Sequence, residues 1–124
     1  MLRVSCNLST MAYSRELAAL VRNYLSEVPG ILINEKKMFG GLGFMVNEKM
    51  CINIIRERLM CRFDPEVEEE IAGKTGYVPM NMKRKSMKGY CLVEEAGYYE
   101  ESDLSFWIEL CLAFNDRAKS SKKK

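Results

Sequence analysis

The sequence predicts an α+β domain, a mainly antiparallel sheet with helices packed on it. Three observations lead there. Apolar residues recur at spacings of three and four from Ser14 to Val28, the period changes towards two between Ile31 and Phe63, and helical spacing returns after Ser102. Strands gathered in blocks between helices, rather than alternating with them one by one, favour segregated layers over a parallel βαβ fold.

The first helix starts at Ser14, a good N-cap, and stops at Pro29-Gly30. Leu17, Leu20, Val21, Tyr24, Leu25 and Val28 form its expected apolar face. Four short strands follow at about 33–39, 42–46, 49–55 and 59–63. Strict alternation puts Met50, Ile52 and Ile54 on one face and Cys51, Asn53 and Ile55 on the other. Leu59, Cys61 and Phe63 likewise alternate with Met60 and Arg62. Asn47-Glu48 and the Arg56–Arg58 stretch are the hairpin turns. Glu is poor at the second position of a type I′ turn, which leaves a longer or irregular loop open as the alternative at Asn47-Glu48.

Asp64 can cap and Pro65 can open a short acidic helix that Gly73 ends. Two more strands fall at about 80–83 and 88–94. The last helix runs from about Ser102 to Lys119, with Leu104, Trp107, Ile108, Cys111 and Phe114 facing the core. The tail at 120–124 is expected to be basic and disordered.

With 124 residues, 48% hydrophobic and 29% charged, the chain fits one domain with a real core. Its net charge is +2, but four lysines lie in the tail at positions 119, 122, 123 and 124. Without them, fifteen basic residues face seventeen acidic ones, so the body is not a basic nucleic-acid binder by bulk charge. No apolar stretch approaches a membrane span, and the first ten residues are too weakly apolar for a signal peptide. A cytoplasmic protein is expected.

Five cysteines are scattered at 6, 51, 61, 91 and 111, and histidine is absent. No two sit at ligand spacing, so unpaired thiols and no bound metal are expected. Without histidine the usual general base is missing. The best nucleophile candidate is Cys61 beside Arg62, yet neighbours on a strand point to opposite faces. No enzymatic activity and no cofactor are expected.

"GGLG" at Gly40–Gly43 invites comparison with a phosphate cradle. A P-loop needs GxxxxGK[ST], and a dinucleotide fingerprint needs a helix just downstream. Here Phe44-Met45-Val46 follows and reads as strand. Gly40, Gly41 and Gly43 are therefore read as structural, permitting a bend, a bulge or close backbone approach.

Lys83, Arg84, Lys85 and Lys88 form a basic cluster in "KRKSMK", beside Met80, Met82, Met87 and Tyr90. It is either a solvated turn or a contact for an anion, a nucleic acid or an acidic partner. Methionine-rich faces can serve as adaptable binding surfaces, though they more often fill core gaps. Tyr98 and Tyr99 sit among carboxylates in "EEAGYYEES", as a helix lead-in or as a protein contact.

The segments "KMFGGLGFMVNEKMC", "LMCRFDPE", "PMNMKRKSMKGYCLVEE" and "DLSFWIELCLAFNDRA" resemble the N-terminal domain of the TfoX/Sxy family. These bacterial proteins are associated with regulation of natural competence. The resemblance spans about Met11 to Lys119, which implies a domain at 11–119 after a 1–10 extension, and Glu48 departs from it, where the family pattern commonly has Gly. It implies a stand-alone N-terminal domain, an α-β3-α-β2-α order similar to type III secretion chaperones, and no catalytic residues. The expected role is contact with a protein partner in competence or transcription regulation. Nucleic-acid or anion binding through residues 83–88 is the alternative, and a homodimer is left open.

Overall fold

A computed structural model describes residues 13–82 and 85–115, with the backbone alone at 81, 82 and 85–87. Segments 1–12 and 116–124 lie outside the described residues. The order is α1 (Arg15–Ser26), β1 (Ile33–Met38), β2 (Gly41–Val46), β3 (Lys49–Ile55), β4 (Arg58–Arg62), a 3-10 turn (Pro65–Val67) leading into α2 (Glu68–Ile71), β5 (Tyr77–Met82), β6 (Lys85–Val93), a second 3-10 turn (Glu95–Gly97) and α3 (Glu101–Asn115). Four strands precede the middle helix, where the family resemblance implied three. Among the described residues six strands form one antiparallel sheet in the order β1-β2-β3-β4-β6-β5.

β1 to β4 form a meander of two-residue turns. Phe39-Gly40 and Asn47-Glu48 have positive φ at both positions (55° and 74°, 53° and 70°), the signature of type I′ turns, which match the twist of the flanking strands. The hairpin turn read at Asn47-Glu48 is therefore present, and it is tight rather than long or irregular. The side chain of Asn47 explains the tight turn. Its Oδ1 accepts from Leu32 N at 3.0 Å, while its own N–H donates to Leu32 O at 2.8 Å. That tie to the start of β1 offsets the unfavourable left-handed glutamate.

The helices pack on one face of the sheet. Ser14 Oγ accepts from Leu17 N at 3.1 Å and caps α1. Leu17, Ala18, Val21 and Leu25 are buried in one cluster that also holds Leu42, Phe44, Val46, Leu59 and Val93. Leu20, expected in this face, is instead 53% exposed; Ala18 completes the stripe. α3 lies over β3 and β4 with Leu104, Trp107, Ile108 and Cys111 buried. Phe114 is only half-buried, and Asn115 takes the buried place. Lys49 Nζ donates to Asn115 O at 3.0 Å, placing a cation at the negative end of α3.

A register shift between Phe44 and Met45 corrects the expected face of β3. A bulge puts two consecutive residues on one side of a strand. Cys51 therefore joins Ile52 and Ile54 under the helices, while Met50 moves to the other face. There Met45, Met50, Met60 and Met80 form a second cluster, edged by Met38, Ile55, Tyr90 and Leu92. Asn53 is buried on this face, its Nδ2 donating to Met38 O at 3.1 Å.

Candidate interaction surfaces

The glycine stretch is divided between turn and strand. Gly40 is the second residue of the β1–β2 turn. Gly41 and Gly43 lie within β2, so they are not loop residues. A Cβ on Gly41 would stand 2.0 Å from Ile54 O, and one on Gly43 would stand 2.5 Å from Met38 Sδ. Both positions are filled by protein atoms. The N–H groups of this stretch open no helix, because β2 follows at once.

The basic cluster falls on the β5–β6 hairpin. Lys83 and Arg84 lie outside the described residues. Lys85 begins β6, paired with Met82, and Lys88 is exposed further along the strand. Next to it, Gly89 has φ +84° and lies against Phe63 O, where a Cβ would stand at 3.1 Å. Arg62, which sequence reasoning treated only as a neighbour of Cys61, sits directly across from Tyr90. Its guanidinium carbon is 5.8 Å from the Tyr90 ring and 6.0 Å from the Phe114 ring, within cation–π range. Arg62 and Phe114 are 52 residues apart in sequence, so only the docking of α3 on β4 brings them together.

The cysteines also converge in space. Cys51 on β3, Cys61 on β4, Cys91 on β6 and Cys111 on α3 are all buried and free. Cys61 and Cys91 are directly opposed across β4 and β6. Burial, with Cys91 and Cys51 alongside, holds the Cys61 thiol well above its ordinary range. Burial likewise raises Cys111, and the hydrogen bond to Cys111, followed by burial, raises Cys51. A thiol kept protonated is a poor nucleophile and a poor metal ligand. Among the described residues no group of three His, Cys, Asp or Glu is placed to hold a metal ion. Cys6 lies outside the described residues.

Among the described residues five large apolar side chains remain exposed: Leu20, Leu32, Phe39, Tyr99 and Phe106. Lys74 Nζ stands 4.3 Å from the centre of the Phe106 ring. Of the two tyrosines expected at the surface, Tyr99 is exposed. Tyr98 is only partly so, and its hydroxyl donates to Glu57 O. Burial, with Glu95 and Glu57 nearby, pushes the Tyr98 hydroxyl up to about 12. Among the described residues no helix is long and apolar enough to cross a membrane.

A family model described as the TfoX N-terminal domain matches residues 23–115 of the 124-residue chain. The matched region runs from the second half of α1 to the end of α3. No curated protein and no solved structure matches the chain.

Proposed function

Because the chain belongs to the TfoX N-terminal domain family, we propose that it acts in the cytoplasm as a non-enzymatic protein-interaction domain in competence or transcription regulation. The observation that carries this reading is the division of chemistry between interior and surface. The described thiols, the best nucleophiles in the chain, are sealed in the core, while bulky apolar groups stand in solvent on turns and helix faces. Exposed aromatic and aliphatic anchors are what a protein contact uses.

A second reading, nucleic-acid binding, draws on the Arg62–Tyr90 pairing with Lys88 and Lys85 on the neighbouring strand. Aromatic stacking beside cations suits single strands. Titration of a labelled single-stranded oligonucleotide at low and moderate salt separates the two readings. The protein-contact reading expects no saturable binding at moderate salt. If about four cations contacted phosphate, log K would fall with log salt at a slope of roughly −3. Tight binding with such a slope would replace the first reading with the second.

A further inference from the structure

Beyond that reading, we propose that the edge strand β1 pairs antiparallel with β1 of a second copy, continuing the sheet across a two-fold axis.

Among the described residues β1 and β5 are the two sheet edges, and they differ. β5 carries Pro79, which lacks an N–H, and has a register shift between Pro79 and Asn81; both features blunt an edge. β1 has six residues, no proline and an unbroken register with β2. Asn47 N donates to Leu32 O, so position 32 is a hydrogen-bonded site in the β1–β2 ladder. Alternation then turns Asn34, Lys36 and Met38 towards β2 and leaves the N–H and C=O groups of Ile33, Glu35 and Lys37 pointing outward.

A two-fold axis perpendicular to the sheet places like faces together, so opposed residues must share a face. Centred on Lys36, it opposes Glu35 with Lys37 of the second copy, and Lys37 with Glu35 of the second copy. All four belong to the outward-bonding set, so backbone hydrogen bonds and two opposite-charge pairs form in one register. Lysine on an edge strand usually discourages pairing; here it selects the register. Arg22 already holds the Glu35 carboxylate, with contacts of 2.5 and 2.8 Å, and draws its pKa down through that hydrogen bond. The ionised carboxylate is thereby fixed and still has acceptor positions for an ammonium.

Apolar residues flank the same strand. Leu32, just before β1, is 57% exposed, and Phe39, just after it, is 43% exposed. The proposed register brings Ile33 of each copy close to the turn residue Phe39 of the other, while Leu32 falls on the opposite face, with Asn34 and Lys36. Burying these side chains supplies the apolar contribution that charged strand centres lack. The two Lys36 residues meet at the axis on the other face, where their long exposed stems let the ammoniums diverge.

Sedimentation velocity of the full chain over a dilution series tests association. A concentration-dependent dimer is expected, and Lys37→Pro should raise its dissociation constant at least about tenfold. Proline is tolerated in a monomer where the N–H faces out of the sheet, and circular dichroism checks that the variant folds. Register is read by Lys36→Cys in a Cys6→Ser background under oxidised glutathione. Residues opposed at a non-hydrogen-bonded site lie within disulfide reach, so a 36–36 crosslink should form. Asn34→Cys should give none, since the two copies of position 34 are about 13 Å apart along the strands. A monomer at every concentration overturns the proposal, as does a dimer that survives Lys37→Pro or crosslinks through position 34.

Discussion

Trp107→Ala is expected to lower the unfolding midpoint by roughly 10 °C or more, or to give insoluble protein. Trp107 is fully buried at the centre of the α3 stripe, between the helix and the sheet. Its Nε1 donates to Gly97 O at 3.0 Å. Gly97 in turn packs so closely on the turn before β5 that a Cβ there would stand 2.4 Å from Thr75 O. The indole therefore fills the core and also holds the connection from β6 to α3 against that turn. Replacing a core tryptophan with alanine typically costs about 3–5 kcal/mol, a large share of the roughly 5–15 kcal/mol that stabilises a domain. Phe106, the adjacent ring at 5.2 Å and partly exposed, is the control. Phe106→Ala should change the midpoint by no more than a few degrees. A Trp107→Ala midpoint within a degree or two of the parent would mean that the α3 stripe is not core.

Gly41→Ala is expected to cost about 1–3 kcal/mol or more by overpacking. The added methyl would meet the backbone of β3, at 2.0 Å from Ile54 O and 2.9 Å from Ile54 C. A flexible side chain could swing away, but a carbonyl in a paired strand moves only with its ladder. Ile54 is itself fully buried under the helices. The contrast is Gly43→Ala, where the methyl would meet the Met38 side chain. A thioether chain has several rotamers and can yield, so this change should be milder. Chemical denaturation of both variants measures the difference. A Gly41→Ala protein as stable as the parent would show that the stretch tolerates side chains and that close strand approach does not explain its glycines.

Much of the fold was legible because the signals were local. Ser14 capping α1, Asp64-Pro65 opening the middle turn and the alternation of Leu59, Cys61 and Phe63 all depend on neighbours in sequence, and each appears as read. What the sequence left open or misplaced involves distant partners. The Asn47-Glu48 turn is tight because Asn47 bonds Leu32, fifteen residues away. Met50 faces away from the helices because of a register shift against β2, which no spacing within β3 records.

The candidate surfaces were less legible for the same reason. The thiols of Cys51, Cys61, Cys91 and Cys111 look scattered in sequence, yet three strands and one helix bring them into one buried group. Arg62 meets Tyr90 through strand pairing and nears Phe114 through helix docking. Strand β1 is charged and exposed on both sides. Its alternation carried little information; only the sheet order shows it to be an edge.

Affinity capture from the native host, using the whole chain as bait and nuclease-treated lysate, tests the proposed protein-contact role most directly. Trp107→Ala, if soluble and unfolded by circular dichroism at the capture temperature, serves as the control for non-specific adhesion. One protein should be retained in near-stoichiometric amount by the parent chain and lost from the control. Retention of nucleic acid in untreated lysate, with no specific protein after nuclease treatment, would contradict that role.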